Sequence, residues 1–330
     1  AAVGRDFRLG VLSELSDETS DDQLMDAIEE AIDSKIIEEL PDAVGSYRFT
    51  HALIRETLTS ELSLTRRVGL HARIAKTLED LYGDGIDQRA AELAYHYSEA
   101  ESVLGTEKLI HYSVIAGEMA LEANDPLAAS VHFGQAAKAI SEHSPDRIVA
   151  RVERGVGLAG LATARQLPEF QASWGVIERS FKMFVDLGDH ESAVQLVTRA
   201  VYPTVAVSGT APILEQAFEL APKDSVEAGR ILARLFLALM VEDGEEERSK
   251  KFAEQALRIA ELTGDTNIKM QVRSGQGVIE GFRGNYSESL NLSLQALELV
   301  ESGGDLRSEW FSRFFSSSAF LALGEQQHAH

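Results

Sequence analysis

The chain has no cysteine in 330 residues. That excludes disulfides, thiolate nucleophiles and cysteine-ligated zinc, and it fits a reducing, cytoplasmic setting. Prolines number only seven, which leaves long stretches free to be helical. No apolar run approaches the ~18 residues that a membrane-spanning helix requires. The opening "AAVGRDFRLG" has neither the basic start nor the apolar stretch of a signal peptide. Chemistry-bearing motifs are scarce as well. There is no Gly-Lys dipeptide, and therefore no phosphate-cradling GxxxxGK[ST] loop, and neither HExxH nor GxSxG occurs. The run "EDGEEE" lacks the ligand spacing of a calcium loop and reads as a solvated helix end. We expect no catalytic residues, no metal site, and no enzyme in this chain.

Positive charge is also in short supply: 31 Lys and Arg face 53 Asp and Glu, a formal net charge of −22. Up to Gly83 there are 9 basic against 17 acidic residues, and beyond it 22 against 36. Neither part offers the basic footprint that nucleic-acid phosphates demand, so direct nucleic-acid binding is not expected.

What is present is helical periodicity. "DDQLMDAIEEAIDSKIIEEL" places Leu24, Ile28, Ala31 and Ile32 on one face, with Asp21 and Asp22 favourable at the helix N-terminus. Its end, Ile36–Leu40, reads as a strand, "PDAVGS" as a turn, and "YRFT" as the returning strand. The chain then enters a helix at His51 with Ile54, Leu58 and Leu62 on one face, followed by another with Leu70, Ile74, Leu78 and Leu81. Residues 1–83 thus have the helix, helix, hairpin, helix order of a winged-helix domain, its wing at Pro41–Ser46 and its strands at about 36–40 and 46–50.

Residues 84–330 read as helix after helix. Gly244, Gly284 and Gly324 are spaced 40 apart; Gly264–Asp265 recurs as Gly304–Asp305, and Gln255–Leu257 as Gln295–Leu297. Glycine at such intervals marks helix ends where the backbone needs positive φ. A helix pair every 40 residues predicts a tetratricopeptide-like (TPR-like) α-solenoid, all helix from about 86 to 324; a strand past residue 90, where β-branched residues cluster at Val201–Val207 above all, would contradict it. The expected fold is therefore mainly α: a winged-helix domain, then a TPR-like array of helical hairpins truncated at its C-terminus. His96–Tyr97–Ser98 and His111–Tyr112–Ser113 read as interhelical contacts, and His328 with His330 as a weak metal site at most. Trp310, Phe314 and Phe315 share a helical face that reads as core, or as a surface left open where the array stops.

The order "GRDF", then "YRFTHALIRETLTSELSLTRRVGLHARIAKTLEDLY", then helical repeats resembles the STAND-class signal-transduction ATPases, in particular bacterial LuxR-type and cyclase-linked regulators. The pattern lies on Phe49, His51, Leu53, Arg55, Glu56 and Leu58. The resemblance implies a regulatory segment whose parent carries a P-loop ATPase domain absent here, with ATP or ADP bound in that parent and no cofactor in this chain. It implies that His51 reaches a phosphate of ADP in the closed state and that Phe49 anchors its strand. The plainer reading of His51 is a helix-start residue bonded to a local carbonyl. Arg66, Arg67, His71 and Arg73 form the one basic segment of the acidic domain. They read as a solvated face or as a docking surface for the ATPase domain. An unknown inducer or partner protein would bind the array; the alternative function is a TPR-type interaction scaffold without switching.

Overall fold

The computed structural model describes residues 1–16, 20–41, 43–199, 209–300 and 306–325. The described chain is mainly helical, with one small sheet, and none of its helices is long and apolar enough to cross a membrane. It divides into two compact units, Ala1–Ala159 and Gly160–His330.

The first unit opens with β1 (Asp6–Arg8), α1 (Leu9–Leu15), α2 (Asp21–Asp33), β2 (Ile37–Glu39), β3 (Ser46–Phe49) and α3 (Ala52–Ser60). Ser20 starts α2 through a capping box, its hydroxyl accepting from the Gln23 amide while the Gln23 side chain accepts from the Ser20 amide. The hairpin falls where the alternation places it, although Asp42 in its turn lies outside the described residues. The sheet is not a simple hairpin, however. β1 adds a third antiparallel strand in the order β1-β3-β2, pairing Asp6 with Arg48 and Phe7 with Tyr47. Phe7 stacks on Tyr47 at 5.8 Å and lies 5.6 Å from Phe49, and these rings close a small core with Ile28 and Ile37. In α2 the predicted face is used, with Ile28 buried and Leu24, Ala31 and Ile32 packed beside it. In α3 it is used in part: Ile54 packs, but Leu58 is exposed and the helix buries no residue.

Beyond α3 run α4 (Leu64–Tyr82), a 3-10 turn at Gly83–Arg89, α5 (Ala90–Glu99), α6 (Glu101–Leu104), α7 (Glu107–Glu122), α8 (Pro126–Ala139) and α9 (Asp146–Thr163). One apolar core joins α1, α4, α5, α7 and α8, and includes Val11, Ile74, Leu78, Leu93 and Phe133. The two His-Tyr-Ser triplets serve that packing. Tyr97 and Tyr112 stack at 5.6 Å, and the Tyr112 hydroxyl donates to Glu79 at 2.7 Å.

The second unit contains α10 (Leu167–Asp186), α11 (His190–Arg199), α12 (Thr210–Leu220), α13 (Val226–Ala238), a π-helical turn at Leu239–Asp243, α14 (Glu246–Thr263), α15 (Thr266–Phe282), α16 (Tyr286–Leu297) and α17 (Leu306–Ala322). The 40-residue spacing is visible in the helices themselves: α14 and α16 begin 40 residues apart, as do α13, α15 and α17 in succession. Gly244, Gly264, Gly284 and Gly324 all have positive φ, so the periodic glycines do end helical segments. Gly304–Asp305, Val201–Val207, His328 and His330 lie outside the described residues. Two buried serines keep the same period, with acceptors 41 residues apart. Ser249 donates to the Phe236 carbonyl at 2.6 Å, and Ser289, 40 residues on, donates to the Gly277 carbonyl at 2.8 Å. The recurring Gln-Ala-Leu triplets place Ala256 and Ala296 at full burial, where only a small side chain lets neighbouring helices approach. The aromatic cluster of α17 is split: Phe315 is buried, whereas Trp310 and Phe314 stack at 5.5 Å on the exposed side.

Candidate functional site

The junction between β3 and α3 is built from its backbone outward. Phe49 is buried and fixes the strand end, and the Thr50 hydroxyl donates to the Lys35 and Ile36 carbonyls at 2.6 and 3.1 Å. His51 follows in extended conformation as the N-cap of α3, its carbonyl accepting from the Ile54 and Arg55 amides at 3.2 and 3.5 Å. Its imidazole is exposed and makes no capping bond. The first turn of α3 therefore keeps amide donors that no cap side chain occupies, a partial positive charge next to an imidazole. Such an end can accept an anion.

The basic segment lies on α4, whose N-cap Ser63 accepts from the Arg66 amide at 3.4 Å. Four residues that are close in sequence receive different environments. Arg66 is exposed. Arg67 lies 3.9 Å from the Glu99 carboxylate. Arg73 donates to the Leu15 carbonyl and so ties α4 to the end of α1. His71 stands apart from the other three because it faces inward at 1% exposure. Seven residues separate Arg66 from Arg73, about 10 Å along one helix face, so these two share a surface that His71 does not reach.

Sequence reasoning did not anticipate what His71 meets. Its Nδ1 lies 2.8 Å from Nδ1 of His96, which is fully buried on α5, and the Tyr95 ring meets both imidazoles edge-on. One Nδ1 must donate and the other accept, so the acceptor is a neutral imidazole with its proton on Nε2. Burial pushes His96 down to about 4, with the His71 charge acting in the same direction and the Val3 backbone opposing. Burial also lowers His71, with Glu99 opposing and Arg67 assisting. His96 was visible as half of a repeated triplet, but its partner lies 25 residues upstream with no period linking the two. Two neutral imidazoles sealed in a core hold helices together; they have no access to a substrate.

Among the described residues no group of three or more His, Asp or Glu side chains could hold a metal ion. No family model matches the chain, and no curated protein matches it.

Proposed function

We infer that this chain is a cytoplasmic, non-catalytic regulatory segment of a STAND-class ATPase: a winged-helix module followed by a TPR-like array. On this reading the array binds an inducer or a protein partner, and the winged helix transmits that event to a P-loop domain elsewhere in the parent, which holds ATP or ADP. The observation that carries it is the junction at His51, an exposed imidazole at the start of a helix whose amides no side chain caps and which buries none of its own residues. A helix of 9 residues is marginal by itself, and α3 becomes secure once a further surface covers it. The three-stranded sheet beside α2 and the 40-residue helical period support the same reading. Arg66 and Arg73 supply the face on which the nucleotide-binding domain docks. The switch is then an equilibrium between docked and undocked states, and a ligand shifts it only by its difference in affinity for the two.

Hydrogen exchange on the intact protein tests this. With ADP bound, amides of α3 and the first turns of α4 should gain protection that is lost with an ATP analogue. His51→Ala should raise the ADP dissociation rate by about tenfold to a hundredfold, the worth of one hydrogen bond to a charged group. Identical exchange in every nucleotide state would remove the switching reading.

A further inference from the structure

Within the second unit, four segments leave a cavity of about 260 Å³ among α13 with its π-helical turn, α14, α15 and α16. Its apolar lining comes from Phe236, Met240, Ile279 and Leu292. Met240 belongs to the π-helical turn Leu239–Asp243, a local widening of the helix that recurs at functional sites. Its unbranched thioether can adapt to what it packs against.

The charged lining is unevenly matched. Lys250 lies 2.8 Å from Glu246, and Arg283 pairs with Glu280 at 2.8 Å and Glu246 at 3.3 Å. Glu288 sits in the first turn of α16, where the helix end stabilises a carboxylate. Arg273 is different. It is half-buried, its Nη1 donates to the neutral Gln276 side chain at 3.0 Å, and its Nε has no partner among the described residues. Among the described residues, Arg273 is thus the lining cation that forms no ion pair. Arg273 on α15 and Arg283 at its C-cap are ten residues apart, about 15 Å along the helix, so the paired Arg283 and the unpaired Arg273 are rooted well apart.

We propose that this cavity binds a small organic monoanion, a carboxylate carried on a short apolar body, with Arg273 and Gln276 holding the carboxylate. The Arg273 fork suits the planar two-oxygen group, and the Gln276 amide can add a donor of its own. The apolar body lies along Met240, Ile279 and Leu292. A space of about 260 Å³ suits a ligand of the size of benzoate or hexanoate. The proposal names the chemistry of the inducer on the reading above, and binding by the chain alone is independent of any nucleotide.

Titration calorimetry of the full chain, with methyl NMR of Met240, provides the test. Benzoate and hexanoate should bind at about 1 mM or tighter and shift the Met240 methyl, one of five methionines; benzamide and hexanol should bind at least tenfold more weakly. Arg273→Gln should weaken benzoate by about tenfold to a hundredfold, whereas Lys182→Gln, removing an exposed cation of α10 outside the lining, should leave it unchanged. Should Arg273→Gln fail to fold, the carboxylate-against-amide comparison on the unaltered chain still decides. No binding by either carboxylate, equal binding of benzamide, equal losses in the two variants, or a shift confined to another methionine would each overturn the proposal. Binding by the isolated chain with no nucleotide-dependent protection of α3 in the intact protein would leave this site standing and remove the switching reading alone.

Discussion

Single residues decide how tightly the first unit is packed, and they do so by opposite routes at two glycines. Gly155 on α9 faces the ring of Phe133, which has no exposure; a Cβ there would lie 2.1 Å from the ring. Gly134, on α8, has nothing within 4 Å of the same added atom. Alanine at 134 should therefore stabilise by about 0.5–1 kcal/mol through helix propensity. Alanine at 155 should cost on the order of 1–3 kcal/mol because a fully buried ring has nowhere to move. Denaturant titration of the two variants checks the contrast, and equal effects would mean that the Phe133 contact is unimportant. The buried histidines make a second prediction at this scale. In the folded chain His96 stays neutral down to about pH 4, whereas unfolded it takes its proton near the ordinary 6.5. Between those values the unfolded state binds more protons, so stability falls as pH falls through that window, by about 3 kcal/mol in total for His96. Above pH 6.5 the group is neutral in both states and contributes no slope. His96→Gln should flatten the stability curve between pH 6.5 and 4 relative to the unaltered chain. An unchanged slope would show that the proton is taken up elsewhere.

Elements were legible in proportion to how much of their pattern is local. The hairpin could be read because Tyr47 and Phe49 alternate with polar neighbours beside a turn, and β2 and β3 appear there. β1 could not be read. Three residues with one apolar side chain give no measurable period, and only the pairing with β3, some 40 residues away, makes "DFR" a strand. The face predicted for α3 is used only in part for a related reason: its apolar spacing is real, but the structure offers a surface to Ile54 and none to Leu58. The same distinction predicts what holds β1 in place. Asp6 and Arg48 form a two-bond pair at 2.8 and 2.7 Å, but both side chains are more than a third exposed. Water and salt screen such a pair to well below its apparent strength. Phe7, in contact with Tyr47 and Phe49, fills the small core of the sheet. Asp6→Ala should therefore cost less than about 1 kcal/mol, and Phe7→Ala about 2 kcal/mol or more. Chemical denaturation followed by tyrosine fluorescence distinguishes them. The opposite ranking would make the ion pair, not the aromatic contacts, the anchor of the strand.

At the scale of the whole molecule, the periodic glycines could be read in the sequence because helix ends place a strict demand on the backbone, and positive φ at Gly244, Gly264, Gly284 and Gly324 is that demand met. The unpaired Arg273 could not be read, since only the packed helices show that Glu246 of α14 reaches Arg283 and that no carboxylate among the described residues pairs with Arg273. The 40-residue period also makes a prediction about cooperativity. Helices in such an arrangement bury their faces chiefly against neighbours in the sequence, so local stability is set by nearest-neighbour interfaces and not by one shared core. Ala296 is fully buried in the last turn of α16, and a carboxylate there would be left in the interior without a partner. Ala296→Asp should therefore open α16 and α17 to hydrogen exchange while α10 and α11 keep their protection, and the core of the first unit from α4 to α8 should be unaffected. The intermediate helices α13 to α15 should show a graded loss, greatest in α15, whose Gly277 carbonyl accepts from Ser289 of α16. Exchange read by mass spectrometry at peptide resolution gives the profile directly. Uniform loss of protection across Gly160–Gly324 would mean that the second unit unfolds as a single cooperative block, and that its repeats share one core after all.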